Sequence, residues 1–124
     1  MALDQGTTSS RAILFDRESR IVAVAHQEIT QCYPQPGWVE HDAVEIWQTQ
    51  YQVIEVVLAQ SGVQLSEIAA VGITNQRETA LLWDKNSGEP IYHALVWQCR
   101  RTTEIVEELK ARGWADKIRA KTGL

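Results

Sequence analysis

The interval from Asp42 to Gly62 constrains the fold more than any other part of the sequence. Asp42 followed three residues later by Glu45 is a capping-box pattern with Asp at the cap. Val44, Trp47, Tyr51, Ile54 and Leu58 then step by three and four along one helical face, and Gly62 ends the helix. Before this helix lie two apolar runs, Ala12 to Phe15 and Ile21 to Ile29, separated by the charged turn Asp16 to Arg20; after it comes Ile68 to Ile73. Strands a few residues apart pair as an antiparallel hairpin, whereas a strand reached over a helix returns parallel. The spacing therefore predicts an α/β domain with a mixed sheet: an opening antiparallel β-meander, a crossover helix and a buried parallel strand. The meander opens with a polar turn, Gln5 to Ser10. Tyr33 to Trp38 holds two prolines and a glycine and breaks regular structure. Thr79 to Trp83 and Ile91 to Trp97 flank the turn-rich link Asp84 to Pro90, which predicts a second hairpin. Ile105, Val106 and Leu109 give Thr103 to Arg112 an apolar stripe, Gly113 stops it, and Trp114 to Lys121 predicts a last short helix.

Nothing interrupts this pattern: there is no repeat, low-complexity tract or linker, so the 124 residues read as one unit. A net charge of −4 gives no broad attraction to polyanions, which argues against nucleic acid or an anionic membrane as partner. No apolar run approaches the ~20 residues that span a bilayer, and the N-terminus lacks a secretory pattern, so a cytoplasmic location is expected. Cys32 and Cys99 form no CxxC pair, and His26, His41 and His93 lack metal-ligand spacing. Both residue types read as structural.

Two segments are polar beyond what turns require. Asp4 to Arg11, DQGTTSSR, places a carboxylate, a glycine, four hydroxyls and an arginine between two strands. Backbone N–H groups of a glycine-containing turn can cradle an anion, the hydroxyls of Thr7, Thr8 and Ser9 can donate to phosphoryl oxygens, and Arg11 can neutralise developing charge. Asp4 suits a hydrated Mg2+ held through its waters. Taken alone, the motif is equally a polar surface hairpin, and it lacks the spacing and lysine of a Walker A loop. The second segment, Thr74 to Thr79, continues a strand, the place where open α/β sheets collect ligands. Arg77 beside Glu78 offers fixed donors next to a strong acceptor, a combination suited to a polyol whose hydroxyls both donate and accept. On the residues alone, a solvated strand end is the preferred reading of the pair.

The ordered set DQGTTSSR, YPQPGWVEHD, GITNQRET and VWQCRRT strongly resembles the front of the bacterial glycerol kinases, within the FGGY carbohydrate-kinase family. That resemblance spans essentially the whole chain. It implies the ribonuclease H-like, actin-like ATPase fold, ATP and Mg2+ as co-substrate and metal, glycerol as substrate and a homo-oligomer. By matched position, Asp4 resembles the magnesium-associated aspartate, Thr7, Thr8 and Ser9 the phosphate-contacting turn, and Arg11 the phosphate-facing arginine. Arg77 and Glu78 resemble the pair that binds glycerol hydroxyls, and Trp97 the aromatic that packs on glycerol carbons. Related pentulose and gluconate kinases usually carry a methionine-histidine segment where this chain has Gln76, Arg77 and Glu78. Cys99, Arg100 and Arg101 read as packing at the start of a helix.

The resemblance further implies that residues 1–124 are the N-terminal part of domain I of a two-domain enzyme, truncated at both ends relative to the family. Only Met1, Ala2 and Leu3 precede Asp4, and no catalytic base is assigned, since the family's aspartate is expected beyond Leu124. The readings left open are a kinase of another polyol or sugar, and a catalytically silent 124-residue unit that folds or self-associates through open sheet edges.

Overall fold

A computed structural model describes residues 1–123. Strands β1 (Ala2–Gln5), β2 (Ser9–Phe15), β3 (Ile21–Glu28) and β5 (Gly72–Asn75) form one sheet in the order β3-β2-β1-β5. The β1–β2 and β2–β3 pairs are antiparallel and β1–β5 is parallel, the mixed topology that the spacing predicts. Each β1 residue is paired on both sides, and the Met1 amine donates to the Ala70 carbonyl at 2.9 Å. The connection from β3 to β5 runs through β4 (Glu40–His41), the helix α1 (Ala43–Ser61) and a 3-10 turn, Leu65–Glu67. After β5 come β6 (Ala94–Leu95), α2 (Thr103–Ala111) and α3 (Ala115–Thr122).

Helix α1 starts and stops where the sequence indicates. The Asp42 carboxylate accepts from the backbone N–H of Val44 (2.8 Å) and Glu45 (3.3 Å), and Gly62 adopts the left-handed conformation that a non-glycine resists. Glu45 does not close the capping box. Its carboxylate instead accepts from the N–H and hydroxyl of Thr30, tying α1 to the segment after β3. Asp42→Ala removes the cap and is expected to destabilise by about 1 kcal/mol, read as a lower midpoint of urea unfolding.

The buried face of α1 follows the expected one only in part, with Ile54 and Leu58 packed against the core. Val44, Trp47 and Tyr51 are exposed, with Trp47 and Tyr51 in ring contact, while Thr49, Val53 and Val57 turn onto the sheet. The helix is apolar around more than one stripe, and packing selects the narrower side chains because they meet Ala12 and Ala25 at close range. Val53 and Val57, each almost fully buried, contribute roughly 2 kcal/mol apiece. Thr49 belongs in this core because its hydroxyl donates to the Ile46 carbonyl and lies 2.8 Å from the buried Ser10 hydroxyl.

Three further expectations change. The parallel strand is Gly72–Asn75 rather than Ile68 to Ile73, and it is exposed, not buried: it forms the sheet edge, α1 lies chiefly over β2 and β3, and Ile73 remains uncovered. The turn after β1 is shorter than Gln5 to Ser10, since β1 runs through Gln5 and β2 begins at Ser9. The second hairpin reduces to single bridges, Ala80 to Leu95 and Trp83 to Pro90. Pro90 has no N–H for a ladder, and Leu95 with Ala94 pairs with Glu40 and His41 instead. Helices α2 and α3 have the expected extents, but the Ile105 and Val106 stripe is exposed.

Candidate active site

Side-chain alternation decides what each strand offers. Leu3 packs against the α1 side of the sheet, so its neighbour Asp4 points to the opposite face. Asp4 is in register with Arg11, and the guanidinium donates to the carboxylate at 3.4 Å. Between them the turn closes tightly: Gly6 N–H donates to the Ser9 carbonyl at 2.9 Å, and a Cβ on Gly6 would lie 3.1 Å from that same oxygen. A side chain at that position would press on the carbonyl and require the turn to yield by a few tenths of an ångström, which favours glycine there.

Parallel pairing of β1 with β5 brings the Thr74 to Thr79 segment beside this turn. Gln5 pairs with Asn75, and Gln76 N–H donates to the Gln5 carbonyl at 2.7 Å. The chain then turns sharply, with Glu78 at φ 64°, a left-handed conformation uncommon for a side chain of its size. Across from it, Trp97 follows β6 and donates its indole N–H to the Thr7 hydroxyl at 2.9 Å. Gly6, Thr7, Asn75, Gln76, Arg77, Glu78 and Trp97 together line a cleft of about 450 Å³.

Of the residues proposed from sequence, Thr7, Arg77, Glu78 and Trp97 thus meet in one cleft. Thr8 is exposed beside it, and Ser9, Asp4 and Arg11 follow along the strands rather than lining the cleft. No group of three or more His, Cys, Asp or Glu suited to a metal occurs among the described residues. Asp4 is one hard carboxylate, partly exposed, which fits Mg2+ held through water and phosphate oxygens rather than in a protein cage.

Beneath the cleft lie polar residues to which the sequence reading gave no role. His41 is fully buried, 2.9 Å through Nε2 from Gln31 Oε1 and 3.2 Å through Nδ1 from Gln76 Nε2. Burial pushes its pKa below the ordinary histidine value, against a smaller opposing effect of the Glu45 charge. Next to it, Glu40 is 1% exposed and receives Arg101 Nη2, His93 Nδ1 and Tyr92 Oη. Burial raises the Glu40 pKa, and these hydrogen bonds outweigh it, leaving the carboxyl below its ordinary value. Arg101 also lies 3.8 Å over the Trp38 ring and donates through Nε to Cys99 Sγ, in keeping with the packing role read for these residues. No sequence spacing signals this cluster, because its members come from segments 31, 40–41, 76, 92–93 and 101.

Comparison with known proteins gives the family. The FGGY family of carbohydrate kinases, N-terminal domain, matches residues 1–124. Glycerol kinase from Symbiobacterium thermophilum is 64% identical over the whole chain, which covers 25% of that relative. Glycerol kinase from Shewanella sp. strain ANA-3 is 58% identical with the same coverage. The chain therefore spans about a quarter of the length of these curated relatives. Among solved structures, Plasmodium falciparum glycerol kinase with ADP superposes with a TM-score of 0.79 at 36% identity, over 88% of this chain and 22% of that one. Gluconate kinase from Lactobacillus acidophilus superposes with a TM-score of 0.87 at 24% identity, over 98% of this chain and 24% of that one, a likeness of fold alone. These neighbours are actin-like ATPase folds, and the chain belongs to the FGGY family of carbohydrate kinases, matching its N-terminal domain.

Proposed function

We propose that the protein containing this domain transfers the γ-phosphoryl group of ATP to a terminal hydroxyl of glycerol, giving glycerol 3-phosphate. The observation that carries this reading is the single cleft in which the Gly6–Thr7 turn faces Arg77, Glu78 and Trp97. Phosphoryl transfer asks little covalent chemistry of a protein and depends on positioning and charge stabilisation. In this reading Arg77 donates to one glycerol hydroxyl and Glu78 accepts from another, so the polyol exchanges its water partners for fixed ones. The Trp97 ring covers the carbon skeleton and keeps water from the reacting alcohol, while its bond to Thr7 fixes the ring against the turn. Thr7, Thr8 and Ser9 with Arg11 face phosphoryl oxygens. Asp4 would hold Mg2+ through its waters, and the ion supplies charge neutralisation on the phosphates. The proton of the attacking hydroxyl passes to a base outside residues 1–124. A cytoplasmic homo-oligomer without nucleic-acid or membrane partners belongs to the same proposal, and no helix among the described residues is long and apolar enough to cross a membrane.

A substrate panel tests the reading. The complete enzyme, given ATP and Mg2+, is expected to turn over glycerol with the highest kcat/KM, above xylulose and gluconate. Faster phosphorylation of either sugar-derived substrate than of glycerol overturns the substrate assignment.

A further inference from the structure

A line of hydrogen bonds joins the two sides of the cleft from below. Gln31 Nε2 donates to the carbonyls of Thr7 and Ile29, both at 3.1 Å. Its Oε1 faces His41 Nε2, His41 Nδ1 faces Gln76 Nε2, and Gln76 Oε1 accepts from the Thr79 hydroxyl at 3.1 Å. Gln31 fixes the tautomer of the imidazole, and Gln76 completes it. Gln31 spends its amide hydrogens on two carbonyls, so it presents an acceptor to His41 Nε2, which must carry the proton. In the neutral ring Nδ1 is then bare, and Gln76 meets it with a donor, its oxygen accepting from the Thr79 hydroxyl. The Gln31 requirement thus selects the Nε2–H form of the neutral ring, and Gln76 is placed to match it.

We propose that His41 in its Nε2–H form is a positioning residue, holding the Gly6–Thr8 turn and the Gln76–Glu78 bend at a fixed separation so that Thr7, Arg77 and Glu78 address one substrate. His41 does not line the cleft and is fully buried, so it acts through Gln31 and Gln76. It sits one residue from Glu40 in β4, whose pairing with β6 also leads to Trp97. An apolar side chain in its place would leave the buried Gln76 Nε2 and the half-buried Gln31 Oε1 without this partner, and the turn would lose its side-chain link to the bend. The proposal rests on reading the cleft as the substrate site of a phosphoryl transferase.

The test compares His41→Leu and His41→Gln in the complete kinase. Leucine fills the space without hydrogen bonds and is expected to raise the polyol KM about tenfold and lower kcat about tenfold, the scale of a small misplacement of reacting groups. Glutamine supplies one donor and one acceptor and is expected to return both constants to within about threefold of the parent. An unchanged KM in His41→Leu overturns the proposal, as does a glutamine variant no better than leucine at equal thermal stability. If the leucine variant does not fold, two-bond proton–nitrogen spectra of the parent enzyme labelled at histidine decide: a protonated Nε2 supports the proposal and a protonated Nδ1 overturns it. Should the parent prefer another polyol over glycerol, the substrate reading falls, and the same comparison on the preferred substrate still decides the role of His41.

Discussion

Arg77→Ala in the complete kinase is expected to lower kcat/KM for glycerol by about 100-fold, because a hydrogen bond from a charged donor contributes roughly 1.5–3 kcal/mol and each 1.4 kcal/mol is a factor of ten. Arg77 is exposed at the cleft and makes no ion pair among the described residues, so its removal leaves no buried charge stranded. Stability should therefore change little, and the loss should fall on catalysis. Glu78 allows a sharper separation. Its φ of 64° stores backbone strain that glycine would relieve, so Glu78→Gly should stabilise the bend while removing the acceptor. A variant that melts higher than the parent yet phosphorylates glycerol poorly is the expected result; measurement of kcat, KM and Tm on the same preparation checks it. Unchanged kcat and KM in Arg77→Ala would remove Arg77 from the site.

Why Arg77 and Glu78 were legible in the sequence while His41 and Glu40 were not follows from how each is held. Arg77 and Glu78 lie in one uninterrupted polar run after a short strand, and parallel pairing of that strand with β1 brings the run to the side of the turn. The same local logic placed the Asp42 cap and the Gly62 stop, which depend on residues within one turn of helix. His41 depends on partners ten and thirty-five residues away, and a two-residue strand, Glu40–His41, leaves no alternation to detect. The shifted face of α1, which keeps Ile54 and Leu58 against the core but not Val44, Trp47 and Tyr51, has a related cause. Periodicity found Val44, Trp47 and Tyr51, but the choice between neighbouring apolar stripes was made by the small residues Ala12 and Ala25 and by the Ser10–Thr49 pair across the sheet. The exposed position of β5 likewise reflects its place at the sheet edge, which its own composition does not encode.

Arg101→Met is expected to destabilise the fold by about 3–5 kcal/mol, the scale of removing one partner from a buried ion pair. Methionine keeps much of the side-chain volume over Trp38, so the effect isolates the charge. Glu40 would remain 1% exposed with only Tyr92 and His93 as donors, and burial, no longer outweighed, would drive its carboxyl to take up a proton on folding. The pH dependence follows from the sign of the Glu40 shift. In the parent its pKa is depressed, so the charged network contributes fully above the ordinary carboxylate range and is lost as pH falls through the folded-state value. The penalty of Arg101→Met should therefore be largest near neutral pH and shrink on acidification, as Glu40 becomes neutral in parent and variant alike. Adding Glu40→Gln should recover most of the loss at pH 7, since the neutral amide needs no cation: its oxygen still accepts from Tyr92, and its N–H can donate to a neutral His93 whose Nδ1 is bare. Denaturant unfolding of the two single variants and the double variant across pH checks each step, and a penalty that grows toward acid would contradict the charge-based account. Since Glu40 directly precedes His41 in β4, the same variant should also loosen the support beneath the cleft, coupling a structural ion pair to the precision of the site above it.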